Sequence, residues 1–79
     1  MVDSVHTDRY RRLCELLIDA RKVRNLSQEA LAQELGQLQT YVSKYERGER
    51  RLDVVEFLDV AKALQIDPHK ILRQIEKAG

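Results

Sequence analysis

Apolar residues recur along this chain at the spacing of helix faces and never at that of strands. From Asp8 or Arg9 onward, Tyr10, Leu13, Leu16, Leu17 and Ala20 fall on one stripe. That stripe predicts a first helix ending near Arg24, with Asn25 free to take the left-handed conformation that closes a helix. Three later helix starts share one device, a polar cap set between two apolar residues that can staple the chain entry. Ser27 lies between Leu26 and Leu31, Asp53 between Leu52 and Phe57, and Asp67 between Ile66 and Ile71. Asp53 and Glu56 add the spacing of a capping box, and Pro68 takes the first helical position after Asp67, where its missing N–H costs nothing. Leu35-Gly36-Gln37-Leu38 reads as a tight turn, because Gly36 accepts positive φ without a Cβ clash. The third helix then runs from about Gln39 to Arg47, with Val42 and Tyr45 inward and Leu38 adding to that face. The fourth helix presents Val54, Phe57, Leu58, Ala61 and Leu64, and the fifth Ile71, Leu72 and Ile75. No segment alternates at period two over a useful length. The expectation is an all-α fold of five helices forming a single domain over 1–79, with a core from about 10 to 72 and a polar, frayed stretch from Met1 to Thr7.

Composition adds limits. Seventy-nine residues allow one small core, and an apolar share of 43% is enough to build it. The formal net charge of +1 does not by itself announce nucleic acid, but its distribution is uneven. Arg21, Lys22 and Arg24 cluster before the third helix and Arg47, Arg50 and Arg51 after it, the local basic patches to look for in a nucleic-acid binder. On charge alone a solvated helical surface explains them equally well. A lone cysteine, Cys14, excludes an internal disulfide and a Cys-rich zinc site, and its place among apolar helix positions predicts a buried thiol. No apolar run approaches the ~20 residues of a membrane span. Met1 to Asp8 lacks the apolar core of a secretory signal, so a cytoplasmic protein without membrane contact is expected. His6 and His69 have no nucleophile or ligand partner near them in sequence, and no Gly-rich phosphate loop is present. No catalytic residue, metal site, cofactor or enzyme activity is expected.

The informative constellation is the pair of short helices around Gly36. Two helices joined by a tight turn, the second polar on one face, form the helix-turn-helix unit whose second helix enters the DNA major groove. The outward face of the third helix carries Gln39, Thr40, Ser43 and Lys44. Gln can pair with adenine and Lys with guanine, and the Thr methyl can touch a thymine methyl. Taken alone, that polar face also fits the wet side of any surface helix. The turn and the helix before it favour double-stranded DNA as the partner.

Residues 10 to 72 resemble the phage-repressor and Cro type of helix-turn-helix, the XRE family. The resemblance rests on Arg21-Lys22-Val23-Arg24-Asn25-Leu26-Ser27-Gln28, Leu31-Ala32-Gln33-Glu34-Leu35-Gly36, Val42-Ser43-Lys44-Tyr45-Glu46-Arg47-Gly48 and Val60-Ala61-Lys62-Ala63-Leu64. It implies a compact five-helix, lambda-repressor-like domain that binds DNA as a two-fold homodimer. It also implies base contacts from Gln39, Thr40 and Lys44, with Ser43 beside them. Phosphate contacts would come from Gln28, Arg47, Arg50 and Arg51, and a structural pair from Arg21 and Glu46. Phosphate contacts position such a protein while base contacts specify the sequence. The single domain would supply its own dimer surface, either from Ile71 to Ala78 with the fourth and fifth helices or elsewhere if those residues only close the monomer core.

Four positions depart from the family pattern. Gln37 stands where an aliphatic residue is common and Leu38 where a Ser or Thr cap is common, which leaves the base-reading register open by a residue. Gln65 replaces the usual Gly after the fourth helix and must bend the chain at a general left-handed cost of about 1–2 kcal/mol. Tyr45 replaces an aliphatic core residue, so its hydroxyl needs a partner or an exit to water. The function expected is a sequence-specific DNA-binding transcriptional regulator, most simply a small repressor or autoregulator. The alternative is a protein-interaction module, or an antitoxin-like or restriction–modification controller-like partner, on the same fold.

Overall fold

Four of the five helices begin at polar residues that cap them, and the third is the exception. The computed structural model describes residues 7–78. It contains α1 (Asp8–Val23), α2 (Gln28–Leu35), α3 (Gln39–Glu46), α4 (Val54–Leu64) and α5 (Pro68–Ala78), with no strand among the described residues. Thr7 Oγ1 accepts from the Tyr10 N–H at 3.2 Å and Ser27 Oγ from the Ala30 N–H at 3.0 Å. Asp53 accepts from the Glu56 N–H at 2.7 Å while Glu56 Oε1 accepts from the Asp53 N–H at 3.0 Å, the full capping box. At α5, Asp67 Oδ1 accepts from the His69 N–H at 2.9 Å. Such caps satisfy N–H groups that a helix start leaves without partners. Thr7, read from the sequence as part of a frayed stretch, is thus a cap, and Met1 to His6 lie outside the described residues. Leu38 caps α3 with backbone alone and makes no side-chain hydrogen bond.

Three of the left-handed positions are those the sequence reading marks, and Gly48, with φ 75°, is one it did not name. Asn25, Gly36 and Gln65 have φ of 61°, 68° and 59°, and each turns the chain after a helix. A Cβ at Gly36 would meet nothing within 4 Å, so glycine serves the positive φ there and not close packing. Packing is α2 on α3, α1 on α5, and α4 against α2, α1 and α5. The core is Leu17, Leu31, Ala32, Val42, Tyr45, Phe57, Val60, Leu64 and Ile71.

Several expected core positions are outside it. Leu38, Val54, Leu58 and Leu72 are exposed, and Val60 is fully buried. In α4 both 54-57-58-61 and 57-60-61-64 are helical stripes, and the neighbouring helices select the second. Leu38 sits before the first turn of α3, and its side chain is largely exposed at the helix end. Ile71 is buried and Ile75 is half-buried against the core. Cys14 is buried as expected; its thiol donates to the Tyr45 carbonyl at 3.3 Å, and burial raises its pKa.

Tyr45 is fully buried, edge-on to Tyr41 with ring centroids 5.8 Å apart, and its hydroxyl has no hydrogen-bond partner among the described residues. Burial pushes its phenol far above the ordinary range. An unsatisfied buried hydroxyl costs about 1–3 kcal/mol. Tyr45→Phe should therefore raise stability by about 1 kcal/mol in urea unfolding, with the ring's packing kept. A comparable loss of stability would mean that the hydroxyl is bonded.

Candidate nucleic-acid interface

The turn between α2 and α3 is closed by its own backbone. The Gly36 N–H donates to the Gln33 carbonyl at 3.1 Å and the Gln37 N–H to the Ala32 carbonyl at 2.9 Å. This brings the start of α2 beside the start of α3. Gln39 Nε2 donates to Gln28 Oε1 at 2.7 Å, and Gln28 Nε2 donates to Glu46 Oε1 at 2.9 Å. Glu46 also receives Arg21 Nη2 at 3.1 Å on the same oxygen and Arg21 Nε at 2.7 Å on Oε2. The Arg21 Nη1 group goes to the Leu26 carbonyl at 2.8 Å. The Arg21 and Glu46 side chains are only 13% and 4% exposed. Their hydrogen bonding raises the guanidinium pKa above its ordinary value. An unbroken chain of bonds thus runs from α1, under α3, to an exposed glutamine at the first turn of α3. Gln39 spends one amide hydrogen on Gln28. Its carbonyl oxygen and second N–H have the donor–acceptor pair that an adenine edge requires.

Gln39, Thr40 and Lys44 are exposed on α3. Ser43 is not with them: it is buried, and its hydroxyl accepts from Arg47 Nη1 at 2.7 Å. The same Arg47 donates to Glu49 at 2.8 and 3.2 Å, an exposed pair that holds the Glu49 carboxyl below its usual range. Exposed pairs of this kind are worth little, so Arg47 can leave Glu49 for a phosphate at small cost.

The other two loop arginines have different surroundings. Arg50 grips Glu56 with two bonds of 3.1 and 2.6 Å, donates to the Arg51 carbonyl at 3.1 Å, and lies 4.6 Å over the Tyr41 ring. Those bonds hold the Glu56 carboxyl below the ordinary range and tie Arg50 to the capping box of α4. Arg51 is exposed and stacks 4.6 Å over Tyr10. Arg50 is therefore occupied in holding the loop, while Arg47 and Arg51 are open to a polyanion.

The sequence reading missed the clasp under this loop. The Tyr10 hydroxyl donates to the Arg50 carbonyl at 3.1 Å and accepts from the Leu52 N–H at 3.0 Å, fastening the α3–α4 loop to α1. The available signal was a tyrosine in an otherwise aliphatic stripe, since a buried tyrosine hydroxyl needs a partner.

Removing one member of a buried ion pair costs about 3–5 kcal/mol, because the other charge stays buried. Glu46→Gln should lower stability by about 3 kcal/mol in urea unfolding, while Glu49→Gln on the surface should stay within about 0.5 kcal/mol. Equal effects would show that the Glu46 network does not hold α3.

Comparison with known proteins bears on the family and the fold. Residues 17–71 match a helix-turn-helix family model, HTH_3. The chain is similar to an XRE-family like protein from Pseudomonas syringae pv. tomato str. DC3000, with 42% identity, a TM-score of 0.85, and 94% of this chain and 90% of that one covered. It is also similar to the restriction-modification controller protein C.AhdI from Aeromonas hydrophila, with 35% identity, a TM-score of 0.72, and coverage of 78% and 94%. The clp gene regulator ClgR from C. glutamicum shares the fold at 20% identity and a TM-score of 0.77, over 87% of this chain and 90% of that one. A comparison with curated protein sequences found no match.

Proposed function

The chain belongs to the XRE-type helix-turn-helix family of DNA-binding transcription regulators, and from that membership we propose that it binds an inverted repeat as a homodimer and acts as a small repressor or autoregulator. The observation that carries the reading is the bonded chain Arg21–Glu46–Gln28–Gln39, which holds a base-reading amide at the open end of α3. In this reading α3 lies in the major groove. Gln39, Thr40 and Lys44 face base edges, with Ser43 acting through Arg47 and not on a base. Gln28, Arg47 and Arg51 take phosphates, and Arg50 shapes the loop that presents them. Similarity to the Aeromonas controller favours, as a narrower reading, a regulator of restriction–modification genes.

The proposed dimer uses the opposite kind of surface. Val54, Val55, Leu58 and Leu72 are exposed, and a groove between α1, α4 and α5 is lined by Leu13, Leu52, Val54, Phe57, Leu72 and Ile75. An exposed apolar patch of this kind suits a two-fold interface.

Selection of bound sequences from a random duplex library tests the DNA reading. The wild type should enrich an inverted repeat with half-sites about 34 Å apart, and binding should weaken steeply with salt. The double variant Gln39→Ala, Lys44→Ala should bind without that preference. No enrichment, with weak binding at all salts, would favour the protein-interaction alternative.

Sedimentation tests the dimer. Leu58→Asp with Leu72→Asp alters exposed positions, so the helix content should stay while the dimer dissociates and cooperative operator binding is lost. A wild type that stays monomeric at high concentration and binds without cooperativity would reject the dimer.

A further inference from the structure

Leu38 breaks two local rules at once. It occupies the N-cap of α3, where short polar side chains are preferred, and it makes no side-chain cap hydrogen bond. The caps Thr7, Ser27 and Asp53 each accept from a backbone N–H three residues on. Leu38 is also a large aliphatic side chain that is 77% exposed, so little of it is buried in packing. The backbone does not need leucine there: φ −76° and ψ 154° are open to any residue, and the Tyr41 N–H bonds the Leu38 carbonyl at 3.0 Å regardless of side chain. A residue that contradicts local preference without a gain in packing is expected at a functional position. Its neighbours are Gln39 and Thr40, and the N-terminal residues of a recognition helix are the ones that meet base edges.

We propose that Leu38 is a specificity-determining residue that packs on the C5-methyl group of a thymine next to the base read by Gln39. Among the four bases only thymine shows a methyl group in the major groove, and an aliphatic side chain reads it by excluding water from both. The serine or threonine more usual at a helix start would turn its hydroxyl back to the helix and leave that methyl wet. The inference rests on the regulator reading, and the test separates the two.

The selected duplex is prepared with each thymine in turn replaced by deoxyuridine, which removes only the methyl. At one position per half-site the wild type should lose about fourfold in affinity, the worth of one buried methyl group. Leu38→Ser should bind thymine and deoxyuridine equally there while its thermal stability rises through the new cap. A purely structural Leu38 would leave the thymine-to-uracil ratio unchanged in the variant. Indifference of the wild type to every replacement, or the same ratio in wild type and Leu38→Ser, would overturn the proposal while leaving DNA binding intact. If no duplex is selected, the regulator reading fails and the proposal falls with it. Because 5-methylcytosine carries the same methyl group, cytosine and 5-methylcytosine are placed at that position as well. Tighter binding of methylcytosine than of thymine would overturn the thymine assignment.

Discussion

The buried carboxylate of Glu46 is the group around which the rest of the molecule is arranged. A charge removed from water must be met by an opposite charge and by hydrogen bonds to its remaining lone pairs, or the fold loses several kcal/mol. Here both oxygens are met, by two donors of Arg21 from α1 and one of Gln28 from α2. The last turn of α3 is thereby fixed against α1. The first turn of α3 is tied to the same carboxylate through Gln28 and Gln39. A buried pair contributes little net stability against a hydrophobic replacement, so its consequence here is geometric. A helix of eight residues is too short to hold its own orientation, and this network supplies it from both ends.

The same division between holding and presenting runs through the loop after α3. Tyr10 clasps the Arg50 carbonyl and the Leu52 N–H, and the Arg50 side chain is spent on Glu56 and the Tyr41 ring. With the backbone held, Arg47 and Arg51 remain as cations whose present partners are an exposed carboxylate and a tyrosine face. Three arginines that look alike in sequence thus divide into one that builds the loop and two that a phosphate backbone can recruit. The charge that matters for a polyanion is local, which is why a chain with a net charge of only +1 can carry such a surface.

The fold tolerates a few breaches of local rules, and they are not spread evenly. Gln65 takes a left-handed φ of 59° without being glycine, and it ends a helix far from α3 in sequence. Tyr45 buries a hydroxyl without a partner among the described residues on the inward side of α3. Leu38 gives up a cap at the entrance of the same helix. The large apolar side chains left outside the core likewise fall in separate places, at Val23, at Leu38 and on the α4–α5 side.

Much of this was legible in the sequence because its signals are local. Caps at Ser27, Asp53 and Asp67, left-handed turns at Asn25 and Gly36, and helical apolar spacing act over four or five residues, and each is visible in the chain itself, whereas the bend at Gln65 came from the resemblance to the family. The resemblance to the family extended that reach to pairs such as Arg21 and Glu46, which lie 25 residues apart. Tertiary structure alone decided which of two apolar stripes of α4 is buried, because both have helical spacing and only α1, α2 and α5 choose between them. It decided that Leu38 points out, that Ser43 turns to Arg47, and that Arg50 is held while Arg51 is open. Those outcomes depend on partners distant in the chain, and side-chain direction at a helix end is set by what stands next to it in space.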